Sequence, residues 1–325
     1  MRVLVTGGTG FVGRAVAREL TRNNHDVTVL TRRQAGEPPA GTVVRGDPTR
    51  ADIVDQLIGQ SDFEGICHLA GLTGIRESLS QPTMYFDVNV GIAVNILKAV
   101  RSRYARTGRP ARIVFASTRA VYAKAKDELV AETYPAIPAS PYGVTKRAVE
   151  QLLEFESGLA AIGAISLRCF NVSGADRGIV DHQPRLIPKL IGAIRGTLPP
   201  IRLDSPRNRR DFVHVLDVGR AFVAALERSQ PGQYRVYNIG SGQGISIGHV
   251  VRLLEEVSGR PVPQLAVPEE SRRDDNAEDP DAGIADISLA RRGLGWKPER
   301  TIENLIRDAW HFSAAASGEP LRSGQ

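Results

Sequence analysis

The chain has 325 residues, of which 42% are hydrophobic and 24% charged, so it can bury a large core and is not disordered in composition. Its net charge of +6 comes mainly from scattered arginines, which argues against a nucleic-acid interface. The two cysteines, Cys67 and Cys169, lie apart in apolar runs, which excludes a disulfide framework and gives no metal-ligand spacing. No apolar run is long enough to span a membrane, and a strand begins almost at once without signal-peptide anatomy, so we expect a cytoplasmic protein.

The first 170 residues alternate between strand-like and helix-like segments. The predicted strands are Arg2–Val5, Asp26–Leu30, Val43–Val44, Gly65–Leu69, Arg112–Ala116 and Ala164–Cys169. The predicted helices are Phe11–Thr21, Ile53–Ile58, Met84–Val100 and Pro141–Gly158. Repeated strand–helix–strand units with right-handed crossovers predict an α/β fold, a doubly wound parallel sheet of the Rossmann type over residues 1–170.

From about Asn171 the pattern changes, because turns and prolines become frequent. The helices predicted in this part are Leu186–Arg195, Val215–Arg228, Ile247–Ser258 and Ile302–Ala315. We expect residues 171–316 to form a smaller α/β lobe that binds the substrate and is intertwined with the first domain. Residues 317–325 are expected to be a frayed tail.

A glycine-rich turn follows the first predicted strand and opens the first predicted helix. Gly7, Gly10 and Gly13 have the spacing G-x-x-G-x-x-G. The first glycine permits a tight turn, the second lets a pyrophosphate approach the backbone, and the third lets helix and strand pack closely. The helix N-terminus adds N–H donors and a positive dipole for the phosphate. This context predicts a bound nicotinamide dinucleotide, with Phe11 and Val12 beside it.

The residues at the end of the second predicted strand help to distinguish NAD from NADP as the bound dinucleotide. An acid at this place usually holds the adenosine ribose of NAD, but here the residues are Thr31, Arg32 and Arg33. Threonine cannot chelate the ribose diol, whereas two guanidinium groups suit a 2′-phosphate, so these residues favour NADP. The alternative is a solvated basic loop beside an NAD site. Asp47 and Pro48, after the third strand, are expected near the adenine.

Three residues point to proton transfer. Tyr142 and Lys146 are four residues apart on a predicted helix and therefore share a face. A phenol titrates near 10, but a neighbouring ammonium stabilises the phenolate, so the pair can take a proton from a sugar hydroxyl while hydride leaves its carbon. Thr118 follows the predicted strand Arg112–Ala116 and lies 24 residues before Tyr142, at the edge where parallel sheets carry their active sites, and can share a hydrogen bond with the reacting oxygen.

With these motifs the chain resembles the extended short-chain dehydrogenase/reductase family of NAD-dependent epimerases and dehydratases, most closely its UDP-glucose 4-epimerase branch. The matching stretches run nearly end to end, and many motifs in one order make the resemblance specific. They are Thr6–Gly13, Gly46-Asp47, His68–Gly71, Asp87–Val90, Ser117–Tyr122, Tyr142–Lys146, Arg168–Gly174, Arg210–Val215, Tyr237–Gly240 and Leu294–Pro298.

The resemblance implies a catalytic trio and two binding sites. The trio is Thr118, Tyr142 and Lys146. The segment lining the dinucleotide is Leu69, Ala70 and Gly71, with Asn89 on the same side. The residues implied for a nucleotide-sugar substrate, expected to be a UDP-sugar, are Thr73, Thr118, Asn171, Arg185, Leu186, Arg210, Arg272 and Asp275. Among these, the resemblance implies that Asn171 and Arg210 hold the diphosphate.

Two further implications concern the late substrate loop and the oligomer. Arg272 and Asp275 match the family's late Arg-x-x-Asp, whereas counting back from Asp286 selects Asp279. A small residue near Gly283 would admit an N-acetyl sugar. Relatives suggest a homodimer formed through the helices Met84–Val100 and Pro141–Gly158.

Three functions remain open on the sequence. Dehydrating relatives carry an Asp-Glu pair after the threonine, but Arg119 and Ala120 stand there, so a 4-epimerase of UDP-hexose type is favoured. The rival is an NADPH-dependent ketoreductase of a 4-keto nucleotide sugar, which Arg32 and Arg33 support. The third is a non-catalytic dinucleotide-sensing module, against which the intact proton-transfer trio argues.

Overall fold

The computed structural model describes residues 1–32, 40–122, 129–159, 161–203, 205–265 and 283–316. The strands in these ranges are β1 (Arg2–Thr6), β2 (Asp26–Thr31), β3 (Thr42–Arg45), β4 (Gly65–His68), β5 (Ala111–Thr118), β6 (Leu129–Val130), β7 (Ile162–Cys169), β8 (Asn171–Ser173), β9 (Arg209–His214), β10 (Tyr234–Ile239), β11 (Gly244–Ser246) and β12 (Ile284–Ala285). The helices are α1 (Phe11–Arg22), α2 (Ala51–Gly59), α3 (Ile75–Ser80), α4 (Pro82–Thr107), α5 (Pro141–Gly158), α6 (Leu186–Ile194), α7 (Val215–Arg228), α8 (Ile247–Ser258), α9 (Ser288–Leu294) and α10 (Ile302–Ala316).

Seven strands form the central sheet, in the order β10-β7-β5-β4-β1-β2-β3, and all of its pairings are parallel. The predicted α/β class and doubly wound parallel sheet are confirmed. The strand order reverses between β1 and β4, and ligands of open parallel sheets bind outside the carboxyl ends of the strands at such a point. The glycine turn after β1 lies at this place.

The sheet is covered on both faces because successive strand residues point to opposite sides. One face packs against α1 and α7 through apolar residues that include Val16 and Phe222. The other packs against α4 and α5 through residues that include Ile96 and Leu153. Among the described residues, no helix is both long and apolar enough to cross a membrane.

The helix α4 is longer than the predicted segment Met84–Val100. Pro82 occupies its first turn, where a missing N–H costs nothing, and Gly108 ends it in the left-handed region at φ 66°. Apolar periodicity is weak in the last two turns of α4, so the sequence pattern predicted a C-terminal end that is too early.

The second part of the chain builds a smaller unit and also returns to the first. A three-stranded sheet, β11-β9-β8, packs with α6, α8 and α10 around an apolar cluster that includes Leu190, Phe212 and Ile306. In contrast, β10 pairs with β7 at the edge of the central sheet, and α7 packs against α1. The division of the chain at residues 170 and 171 stays a prediction, and residues 317–325 lie outside the described ranges.

Candidate active site

The turn after β1 is too tightly packed for any residue but glycine at two positions. Gly7 has φ +75°, and a Cβ on it would lie 2.7 Å from the backbone nitrogen of Ala70. A Cβ on Gly13 would lie 2.1 Å from the carbonyl oxygen of Gly7. Gly10 is the N-cap of α1, where a Cβ would meet only the Gly7 oxygen, at 3.3 Å. The first amides of α1, next to Phe11 and Val12, are therefore open to a phosphate.

Replacing Gly13 with alanine should weaken the predicted dinucleotide site without unfolding the protein. The new methyl group forces α1 away from β1, a strain of about 1–3 kcal/mol that displaces the amides predicted to bind the pyrophosphate. We expect at least about tenfold weaker dinucleotide binding, measured by titration calorimetry. Gly158→Ala on α5 is the matched control, because its Cβ would meet nothing within 4 Å. Equal affinity in both variants would contradict the assigned pyrophosphate site.

The adenosine end of the predicted cofactor site combines a threonine pair with a loose ion pair. The hydroxyls of Thr9 and Thr31 lie 3.0 Å apart, so the buried Thr31 points toward the glycine turn. Arg32 lies 3.8 Å from the carboxylate of Asp47. Burial raises the pKa of Asp47, but hydrogen bonds from Thr49 and the charge of Arg32 outweigh this and lower it. Arg33 lies outside the described residues.

Two buried side chains of α4 fix the segment that follows β4. Asn89 accepts a hydrogen bond from the Leu72 amide at 2.7 Å and donates to the hydroxyl of Thr145 on α5 at 3.1 Å. Tyr85 donates from its hydroxyl to the carbonyl oxygen of Thr73 at 2.9 Å. The segment with Leu69, Ala70 and Gly71 is thereby held between the glycine turn and α5. Pro48, on the adenosine side, is buried and accepts at its carbonyl from Asn95.

The predicted trio is brought together by β5 and α5. Thr118 is the last residue of β5, and Ser140 caps α5 by accepting from the Gly143 amide at 3.2 Å. Pro141 occupies the first helical turn, so Tyr142 lies at the very start of α5. The Thr118 side chain lies close enough to the Tyr142 hydroxyl to lower its pKa.

Lys146 lies one turn further along α5 and is almost fully buried. Its ammonium donates to the Ala116 carbonyl oxygen at 2.9 Å and lies 4.7 Å from the centre of the Phe115 ring. Burial lowers the pKa of Lys146 to about 8. The pKa of the Tyr142 phenol is raised, because the effect of burial exceeds the lowering effects of Thr118 and of the charge of Arg185. The phenol is therefore neutral at neutral pH in the absence of a cationic nicotinamide.

A buried acid behind Lys146 was not predicted. Glu150 is fully buried and accepts from Ser117 at 2.6 Å and from both Nε and Nη2 of Arg168, at 2.9 and 2.7 Å. A sequence signal exists, because Tyr142, Lys146 and Glu150 are spaced by four and share one helix face. An acid on a buried helix face needs a cationic partner. The position of that partner, on a strand distant in sequence, cannot be read from the spacing of residues within α5.

The arginine extends the buried network toward β10. Arg168 donates from Nη1 to the hydroxyl of Tyr122 at 2.9 Å, and Tyr122 donates to Asn238 at 2.7 Å. Between β5 and this network, Arg119 and Ala120 form the turn that follows Thr118, and Arg119 is buried. Neither side chain is an acid that could expel water from a substrate.

Four of the predicted substrate residues lie on β8, β9 and the start of α6, namely Asn171, Arg210, Arg185 and Leu186. Asn171 donates to the carbonyl oxygen of Asp211 at 3.0 Å, which joins it to the residue after Arg210. The carboxylate of Asp211 accepts from the amides of Ser241 and Ala285 at 2.6 and 3.0 Å, which ties β9 to β10 and β12. Asp211 was missed because its partners are distant in sequence.

Arg185 is the N-cap residue of α6, and Leu186 is the first helical residue. Thr73 lies in the segment held by Tyr85. Gly283, the small residue expected near an N-acetyl group, is buried directly before β12 with φ +106°. Arg272, Asp275 and the alternative Asp279 lie outside the described residues.

The sequence model of the NAD dependent epimerase/dehydratase family matches residues 3–240. A UDP-glucose 4-epimerase of Streptomyces lividans is 33% identical over 328 residues, which is 97% of this chain and 96% of that one. A UDP-glucose-4-epimerase of Stenotrophomonas maltophila, solved with NAD and formylated UDP-arabinopyranose, has a TM-score of 0.86 at 31% identity, with 98% and 99% of the two chains covered. MoeE5 in complex with UDP-glucuronic acid and NAD has a TM-score of 0.83 at 29% identity, with 97% and 100% covered. The resemblance drawn from the motifs is confirmed: the chain belongs to the NAD-dependent epimerase/dehydratase family.

Proposed function

We propose that this enzyme is a nucleotide-sugar 4-epimerase that acts on UDP-sugars by transient oxidation at C4. The contact of Thr118 with Tyr142, one turn from the buried Lys146, carries the proposal. This trio stands at the carboxyl edge of the sheet, beside the glycine turn. Because Arg119 and Ala120 follow the threonine, the site holds no acid there for dehydration.

The residues fit a nicotinamide dinucleotide. The glycine turn leaves open amides at the start of α1, and a Cβ on Gly7 would fill the space against Ala70. A dinucleotide held there would supply a hydride acceptor for C4 and would give the same hydride back, so the cofactor would not be consumed. The positive charge of its oxidised form would favour the phenolate of Tyr142.

The side chains of the trio divide the proton transfer among them. Tyr142 takes the proton of the 4-hydroxyl at its phenolic oxygen and gives it back after the sugar has turned. Lys146, held by the Ala116 carbonyl, stabilises the phenolate. Thr118 orients the reacting oxygen. Arg210 and Asn171 keep the diphosphate in place, which leaves the keto sugar free to expose its other face.

We propose NAD as the resident dinucleotide. The solved relatives described above contain NAD, and none of them supports the NADP preference suggested by Thr31, Arg32 and Arg33. The pairing of Arg32 with Asp47 gives a physical reason, because that carboxylate competes with a 2′-phosphate for the guanidinium. Arg32 then belongs to the charged rim of an NAD site.

Denaturing the purified protein and identifying the released dinucleotide tests the function. We expect near-stoichiometric NAD and conversion of UDP-galactose to UDP-glucose without added cofactor. Oxidation of added NADPH by a 4-keto nucleotide sugar, with no epimerisation, would replace the proposal by the ketoreductase. Bound dinucleotide with no turnover of any nucleotide sugar would replace it by the sensing module.

The enzyme is also proposed to be a homodimer that pairs through α4 and α5. These neighbouring helices carry apolar side chains on their outer surface. Phe86 is 41% exposed, Phe155 75% and Leu159 56%. Exposed apolar residues on adjacent helices are typical of interaction surfaces, and a second copy presents the same two helices.

Replacing Phe155 with glutamate should shift the protein toward the monomer. A charge placed in an apolar interface is left desolvated and unpaired, which weakens association by at least about tenfold. Analytical ultracentrifugation over a concentration series measures the effect. Leu289→Glu, on α9, introduces the same charge at an exposed leucine on another part of the molecule. If both variants sediment like the parent protein, α5 is not the interface.

A further inference from the structure

A short segment leads from the buried lysine of the site to the surface. Residues 71–77, the post-β4 segment, run from beyond the end of β4 into the first turn of α3. A Cβ on Gly71 would lie 3.8 Å from the ammonium nitrogen of Lys146, so the segment begins against the side chain that is proposed to stabilise the phenolate. Thr73 and Gly74 are exposed, and Gly74 has φ +119°. The segment therefore spans the distance from the proposed proton-transfer residues to solvent.

Tyr85 of α4 holds the outer half of this segment. Its side chain is fully buried, and its hydroxyl shares one proton between the carbonyl oxygen of Thr73, at 2.9 Å, and Oε2 of Glu77, at 3.2 Å. A Cβ on Gly74 would lie 3.5 Å from the hydroxyl oxygen, so the chain passes close to it. Burial and the charge of Glu77 raise the pKa of Tyr85 to about 12, which keeps the hydroxyl a donor at neutral pH.

The same tyrosine contacts the proposed base. The rings of Tyr85 and Tyr142 meet edge to face, with centroids 6.3 Å apart and planes at 83°, an attractive arrangement for two aromatic rings. Because the hydroxyl of Tyr85 is bonded to Thr73, the ring is held in one orientation against Tyr142. Asn89, one turn further along α4, fixes the inner end of the segment by accepting from the Leu72 amide. Tyr85 thus joins the outer half of the segment to the base through one rigid side chain.

Epimerisation makes two opposed demands on the site. The keto sugar must turn over between the two hydride transfers, so strong contacts to its ring would slow the reaction. It must also stay in the site until the second transfer, and the diphosphate contacts proposed for Asn171 and Arg210 hold only one end of the molecule. A wall that closes over the sugar without binding it tightly meets both demands. Thr73, which the family resemblance implies for substrate binding, belongs to the post-β4 segment.

We propose that Tyr85 positions the post-β4 segment as the wall that retains the 4-keto sugar until hydride returns. This inference rests on the proposed 4-epimerase function and adds a positioning residue to it. Tyr85 acts through Thr73 and through the ring of Tyr142, without touching the sugar. A keto sugar that escapes leaves two electrons on the dinucleotide and one proton on Tyr142, so each escape is counted as one reduced dinucleotide.

Tyr85→Phe keeps the buried ring and removes both hydrogen bonds. With UDP-galactose, the ratio of reduced dinucleotide formed to sugar epimerised should rise at least about tenfold, as expected for the loss of two hydrogen bonds of ordinary strength. Absorbance and product analysis measure this ratio. A purely structural role would lower the epimerisation rate and leave the ratio unchanged. Tyr234→Phe is the matched control, because it removes a hydroxyl bonded to Ser166 at 3.1 Å on the edge strand of the central sheet.

Hydrogen exchange gives a readout that needs no turnover. Peptides covering residues 71–77 should exchange at least about tenfold faster in Tyr85→Phe than in the parent enzyme or in Tyr234→Phe, because the segment opens locally more often. Unchanged exchange, or an unchanged ratio when the parent epimerises UDP-galactose, overturns the inference and leaves the 4-epimerase function standing. If the parent epimerises no UDP-sugar, the proposed function has failed and the inference fails with it.

Discussion

Tyr142→Phe is expected to lower kcat for epimerisation by about 10³-fold, within the range lost when a general base is removed. The substitution deletes one oxygen atom and leaves the ring packed beside Tyr85 at a centroid distance of 6.3 Å. Without the phenolic oxygen, no side chain takes the 4-hydroxyl proton as hydride departs. The variant should therefore keep its dinucleotide and its affinity for UDP.

Single-turnover reduction of the bound dinucleotide, followed by absorbance, measures this step directly. Tyr104→Phe on α4 removes the same hydroxyl at a place distant from the trio and should behave like the parent enzyme. A Tyr142→Phe enzyme that turns over within tenfold of the parent would refute the assignment of the base. A variant that has lost its dinucleotide would instead assign Tyr142 a binding role.

Short-range patterns were enough to predict much of the site. The glycine turn and the pair Tyr142 and Lys146 are defined by spacings of three or four residues. Such short spacings can be read directly from the sequence. Thr118 followed from its place at the end of a predicted strand. The central sheet was predictable for the same reason, since its strands alternate with helices at regular intervals.

Features that depend on distant pairing were not predictable. The strand β10 joins the central sheet through pairs such as Tyr237 with Leu167, which are far apart in the chain. Asp211 looks like one member of a motif, but its buried carboxylate ties β9 to β10 and β12. In each case the stabilising contacts join residues that are distant in sequence, so they produce no periodic pattern in the local sequence.

The buried ion pair of Glu150 and Arg168 is costly to break, because each charge depends on the other. Glu150→Leu should lower the free energy of unfolding by about 3–5 kcal/mol, because Arg168 is then a buried charge without its partner. Both side chains are at most 4% exposed, so solvent does not compensate the loss. Chemical denaturation followed by circular dichroism measures the change.

A double variant separates the stability contributed by the ion pair from the cost of leaving Arg168 buried without a partner. Glu150→Leu combined with Arg168→Met removes both charges and should recover at least about half of the lost stability, since apolar replacements of buried pairs are often neutral. Glu154→Leu, one turn further along α5 and exposed, should change stability by less than about 0.5 kcal/mol. If the double variant is no more stable than Glu150→Leu, the cost lies in packing rather than in the unpaired charge. If it recovers its stability but turns over more slowly, the acid on the Lys146 face has a second role, which is to hold α5 against β5 so that the ammonium stays near the phenol.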